Sequence, residues 1–503
     1  MLKLESDPSF LDSHTTLEIA LILGGVAIAA LAVAVVAFRI RSRWLLAATL
    51  VLGVVQFFGP FGFTSVALLA TCTLLPVAVW RRRSDLRDLR SPTTIWALLL
   101  AALAAWQVVS VLWSAKIGSA GYGVIFTVAL LTAYLLARDV TERDAGGMPS
   151  AIAAASPFVI VSALIVVLFR ISPTLEASYL LSPIARLFSE PDVALVTRSE
   201  IDIALDPLRS LGVFVDVSMA PGAAGGLLAG LFDSTTLTNF QNVLDPTKAG
   251  GVFLNGNTAS LFFAVTACVS AWAMVKAQHR VLHVVTAIAS IAAIVATGSK
   301  TALLLLVGLP LLALLISFAV RRPRAGAITG SALVAAGAIG AGTFFALKPD
   351  VVGSGTMGDR FTLWRMVADA FPEHFFLGFG FGNWRDYIVD QWNSYFPGVA
   401  TQIWPPHNLV LQAWVDAGLV ALVLTVAIVV LTLVASLHRI GDARRDPLFS
   451  ARSIGAGLVF VALAWVLLHG MADTTFFAGD NHTLPFVALL SAVALTPSSR
   501  LKS

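Results

Sequence analysis

Residues 297–324 read TGSKTALLLLVGLPLLALLISFAVRRPR, and this stretch decides the fold. No side chain between Thr301 and Ala319 is charged. At 1.5 Å per helical residue, a run of that length crosses a hydrocarbon core of about 30 Å. Backbone amides and carbonyls find no partner in lipid, so the run must be a helix. Lys300 opens it, and Arg321, Arg322 and Arg324 close it.

Comparable runs lie on both sides, at 16–38, 44–58, 61–80, 93–114, 120–137, 150–170, 256–275, 281–297, 325–346, 409–436, 454–470 and 483–497. With 301–319 they predict an all-α, polytopic membrane helical bundle of about 12–13 transmembrane helices. Composition agrees. The chain is 57% hydrophobic and 12% charged with a mean hydropathy of +0.85, where soluble domains carry about a quarter charged residues. The alternation of a membrane β-barrel is absent. We expect one membrane-embedded domain over residues 1–503. Met1 to Thr16 is acidic and lacks a basic signal-peptide start, so the run from Leu17 to Phe38 reads as a retained helix. Cys72 and Cys268 both fall in expected spans, which argues against a disulfide or metal framework.

The basic residues set the orientation. Connections 39–43, 81–90, 138–143, 276–280, 321–324 and 439–452, with the tail 500–502, fall on one face and hold 21 of the 33 Lys and Arg. By the positive-inside rule that face is cytoplasmic. The N-terminus is then extracytoplasmic and the C-terminus cytoplasmic. Two long segments, 171–255 and 347–406, are expected outside, where long connections tend to carry function. The second holds thirteen aromatics in sixty residues. They read either as an interfacial belt or as a lid whose rings stack on sugars or press on a lipid.

Several residues on that outer face suit chemistry. Lys300 lies at a membrane depth where a cation costs about 2.5–3.5 kcal/mol, so an anionic partner, a wet cavity or snorkelling must accommodate it. Arg360 opens GDRFTLWRMVADAFPEHFFLGFGFGNW, an amphipathic helix followed by a glycine-rich turn. Arg365, five residues on, points away from Arg360 by well over a quarter turn. His407 in WPPHNLVLQAWVDAGLV stands where a span begins, at the positive end of a helix dipole that suits a neutral base. It also reads more plainly as a hydrogen-bonding group at a helix start. Gly378, Gly380 and Gly382 form GxGxG with no preceding strand, which favours close packing of a turn over a dinucleotide site. Asn257 reads as the cap of the next span. Asp416 and Asp473 are acids near outer span ends that could orient a base or pair with a cation.

In order, GVFLNGNTAS, GSKTALLLL, GDRFTLW…FFLGFGFGNW and PPHNLVLQAWVDAGLV resemble the O-antigen ligase and O-antigen polymerase superfamily, over roughly residues 250–435. The first 40 residues look like a helix added to the usual twelve. The resemblance implies a bacterial inner-membrane, multi-pass enzyme of the cell envelope. It would move a glycan from a polyprenyl diphosphate carrier to an acceptor hydroxyl on the extracytoplasmic face, without metal, cofactor or nucleic acid. The acceptor would be a glycan, a lipid-linked sugar or a protein hydroxyl. It implies His407 as the catalytic residue, Lys300 and Arg360 as diphosphate-binding residues, and Arg365, Asp416 and Asp473 as further candidates. Lys300 stands where the family usually has arginine, keeping the charge and losing the planar fork. A transporter or flippase for a lipid-linked or small solute is the alternative, and it would need charged groups at mid-bilayer.

Overall fold

The computed structural model describes residues 31–57, 65–114, 117–172, 248–253, 255–275, 279–332, 355–398, 404–473 and 475–497, with a few isolated positions beside them. The helices are α1 (Ser42–Val54), α2 (Val66–Thr73), α3 (Leu75–Arg82), α4 (Pro92–Ser110), α5 (Ile117–Arg143), α6 (Gly147–Ile171) and α7 (Gly256–Met274). They continue as α8 (Arg280–Ala296), α9 (Lys300–Arg321), α10 (Gly355–His374), α11 (Asn383–Tyr395), α12 (Leu409–Asp442), α13 (Ala451–Gly470) and α14 (Leu484–Leu495). No strand is formed among the described residues. Among the described residues seven helices are long and apolar enough to cross a membrane, and α1, α8 and α14 are shorter apolar helices. The protein is an all-α polytopic membrane bundle.

Ten of the thirteen expected spans are apolar helices at the expected places. The span expected at 61–80 is instead two eight-residue helices, α2 and α3. Pro76 is the reason, because it has no amide hydrogen for the carbonyl of Cys72 and its ring crowds that turn. The first span (16–38) and the one at 325–346 lie largely outside the described residues, as does most of segment 171–255.

The two ends of the bundle differ in chemistry. At one end Arg82, fully buried, pairs with Asp85 at 2.9 Å and also with Asp139 and Glu142. Arg138 meets Glu142 at 3.1 Å. Arg439 donates to the carbonyls of Ala494 and Thr496, and Arg321 to those of Ala443 and Asp446. The basic connections thus bind acids and helix C-termini, where cations are favoured. At the opposite end the starts of α7, α9, α12 and α14 meet the ends of α1, α4, α6 and α13.

A second, smaller core sits at that opposite end. It joins α10, α11 and the first two turns of α12 through Leu363, Met366, Phe379, Trp384, Trp392 and Trp414, among others. Part of the aromatic segment is thus spent on internal packing. Phe379, Trp384, Trp392 and Phe396 are buried inside the module, because two amphipathic helices must bury one face each. Trp392 is wholly buried, whereas Phe376 is 70% exposed.

The glycine turn locks this module to the bundle. Gly378, Gly380 and Gly382 all have positive φ. The amides of Phe379 and Gly380 donate to the carbonyl of Val415 at 2.9 and 3.2 Å, and Leu419 donates back to Phe376 at 3.0 Å. α12 accepts this contact by leaving helical geometry at Ala417 and Gly418. A Cβ on Gly378 would strike the carbonyl of Trp414, and one on Gly418 the carbonyl of Phe376. GxGxG is thus a close-packed turn, as its sequence suggests.

Candidate functional site

His407 precedes α12 rather than starting it. Asn408 is the cap, its side chain accepting from the amides of Val410 and Leu411. Pro405 and Pro406 stiffen the approach, and His407 takes φ +48°, a left-handed conformation uncommon outside glycine. Residues held this way cluster at functional sites. Two contacts hold the turn in place. Trp364 Nε1 donates to the carbonyl of Pro406 at 2.8 Å, and Asn408 Nδ2 to that of Met471 at 3.3 Å.

The second contact sets the end of α13 beside the histidine. Asp473 Oδ1 lies 3.5 Å from His407 Nδ1, and its Oδ2 lies 3.6 Å from His469 Nε2. Asn257 reaches Asp473 Oδ2 at 3.5 Å through Nδ2, while its Oδ1 accepts from Ser299 Oγ at 3.0 Å. Ser299 is the cap of α9, and Lys300 is the first residue of that helix. One polar chain therefore runs Ser299, Asn257, Asp473, His407. It gathers the N-termini of α7, α9 and α12, whose free amides and dipoles attract negative charge.

Each candidate has a definite place. Lys300 is exposed, one residue from that chain. No ion pair holds it among the described residues, and as the first residue of its helix it has the place from which a lysine snorkels to the interface. Arg360 lies on α10 one turn before Trp364, half-buried, and its charge acts on Asp359 and His469. Burial pushes the Asp359 carboxyl above its ordinary range, and Arg360 offsets part of that rise. Arg365 projects to solvent, 79% exposed, and meets Asp369 at 3.8 Å. It stands apart from this cluster. Asp416 accepts from Gln412 at 2.8 Å, two turns down α12 beside the helix break, and no contact joins it to His407 among the described residues.

Three residues of the cluster escaped the sequence reading. Asn257 is not the cap of α7. Asn255 is, accepting from the Asn257 amide, which frees the Asn257 side chain to bridge two neighbouring elements. Ser299 looked like an ordinary small residue before a span. His469 had a usable signal, since H-x-x-x-D at the outer end of a span keeps two titratable side chains within reach of each other.

Residues 285–426 match the family described as O-Antigen ligase. The match runs from α8 into α12 and so takes in Lys300, Arg360, His407 and Asp416. Asn257, His469 and Asp473 lie outside it and reach the cluster through the fold. No curated protein matches the chain. The match supports assignment to the O-antigen ligase and polymerase family and, with the seven long apolar helices, a multi-pass membrane protein of glycosyltransferase or ligase type.

Proposed function

We propose that the protein transfers a glycan from a polyprenyl diphosphate carrier to an acceptor hydroxyl at the end of the bundle that carries His407, the extracytoplasmic end. The single observation that carries this reading is the pairing of His407 Nδ1 with Asp473 at 3.5 Å, beside three helix N-termini. A carboxylate on Nδ1 favours the tautomer with its proton there and leaves Nε2 as the basic atom.

In this reaction the acceptor oxygen attacks the anomeric carbon while His407 Nε2 takes its proton. The bond from that carbon to the diphosphate oxygen breaks, and the electron pair leaves with the lipid diphosphate. Lys300, Arg360 and the helix N-termini stabilise the charge that collects there. Asp473 stabilises the imidazolium formed in the same step. Base and cations on opposite sides of the sugar favour in-line displacement with inversion. Arg365 and Asp416 have no part in this step.

A transporter needs charged groups at mid-bilayer. Among the described residues, buried Arg82, Arg138 and Asp139 sit in the last two turns of their helices and buried Glu176 lies outside the long apolar helices, which favours the transferase.

The test is transfer by purified protein in nanodiscs, from a polyprenyl diphosphate glycan to glycan, lipid-linked and protein hydroxyl acceptors. Lys300→Ala and Arg360→Ala are expected to weaken donor binding and slow turnover together, since their charges meet the diphosphate in ground and transition states alike. Lys300→Arg is expected to retain activity. Unchanged kinetics in both alanine variants would remove the cations from the reaction.

A further inference from the structure

Resting on that reading of His407, we propose that His469 is a positioning residue whose Nε2–H holds the Asp473 carboxylate in the orientation that serves His407. Asp473 lies beyond the end of α13, which closes at Gly470, so no helical backbone fixes its side chain. The carboxylate is instead divided between its neighbours. Oδ1 faces His407, and Oδ2 faces His469 and Asn257. His469 is 6% exposed, and its own carbonyl accepts from the Ala472 amide at 3.0 Å, so ring and turn are set by the same residue.

The chemical consequence concerns proton affinity. At 3.6 Å the contact is longer than a hydrogen bond, yet an Nε2–H aimed at Oδ2 still favours the ionised carboxylate and moderates its pull on the His407 proton. The His407 imidazolium formed during transfer is still stabilised. The charged and titratable groups around His469 are Asp473, Asp480 and Arg360, with His407 on the far side of Asp473. Without the donor, Asp473 holds the His407 imidazolium more tightly.

The experiment is the pH profile of kcat at saturating donor for wild type, His469→Phe and His469→Gln. His469→Phe is expected to move the acid limb to higher pH by about half a unit or more and to lower kcat about tenfold. Its KM for the donor should stay near wild type, because the diphosphate is held elsewhere. His469→Gln keeps an amide donor and is expected to return the acid limb toward its wild-type position. A wild-type profile in His469→Phe would overturn the proposal. If that variant does not accumulate, the ¹⁵N shifts of histidine-labelled wild type decide the matter. The Nε2–H tautomer of His469 is expected, and the Nδ1–H tautomer would contradict it. Failure of this proposal is separable from failure of the functional reading. Transfer that survives in His407→Ala removes the reading itself, whereas loss there with an unaltered profile in His469→Phe removes only the role of His469.

Discussion

Glu176 carries a carboxyl that is 5% exposed and accepts from the amides of Gly250 and Gly251 at 2.7 and 3.1 Å. Those amides lie just before the cap of α7, so the contact steadies the segment that presents Asn257 to Asp473. Burial pushes Glu176 up to about 7, although the two amides and Arg170 pull the other way. The sign for stability follows. Between its ordinary value of 4.5 and about 7 the folded chain binds more protons at this group than the unfolded one. Its contribution to stability therefore falls as pH rises through that window and is level above it. Hydrogen exchange at residues 249–256 is expected to quicken from pH 5 to pH 7.5, beyond the intrinsic chemical dependence, and Glu176→Gln should remove the excess. An identical excess in Glu176→Gln would assign it to another group. This carboxyl lay in a long loop with no pattern to single it out. His407 was legible because two prolines and a span start announced it.

Elements were legible wherever lipid imposed a rule. Runs of about twenty apolar residues became helices because the bilayer leaves no alternative. The break at Pro76 was also written in the chain, though reading the run as one span overrode it. The fate of thirteen aromatics was not legible, because which face of an amphipathic helix finds a partner depends on the other helix. The glycine turn is the element that joins module and bundle, and its strain can be measured. Gly378→Ala and Gly398→Ala both place a side chain at positive φ, at +64° and +76°. Each costs about 1–2 kcal/mol for conformation alone. Only Gly378 also meets a neighbour, since nothing lies within 4 Å of a Cβ on Gly398. Thermal unfolding in detergent is expected to show a clearly larger loss for Gly378→Ala, with transfer falling as the start of α12 shifts. Equal losses would mean that the turn and α12 are not interlocked.

At the scale of the whole molecule, the chain separates two chemistries by the length of a bundle. One end binds arginines to acids and helix C-termini, and the other gathers helix N-termini around a carboxylate and two histidines. From the positive-inside rule we propose that the first faces the cytoplasm. A cysteine at Ser394 should then react with an impermeant maleimide in whole cells and one at Ser84 should not, both positions being exposed. Reversed labelling would move the site to the other compartment. The central claim is that His407 acts on the acceptor hydroxyl while the cations act on the carrier. Single-turnover transfer in nanodiscs, with donor binding measured on the same sample, tests it most directly. For folded, membrane-inserted His407→Ala the account predicts a rate about 10²–10⁴-fold below wild type with donor affinity nearly unchanged. A wild-type rate in that variant would contradict it.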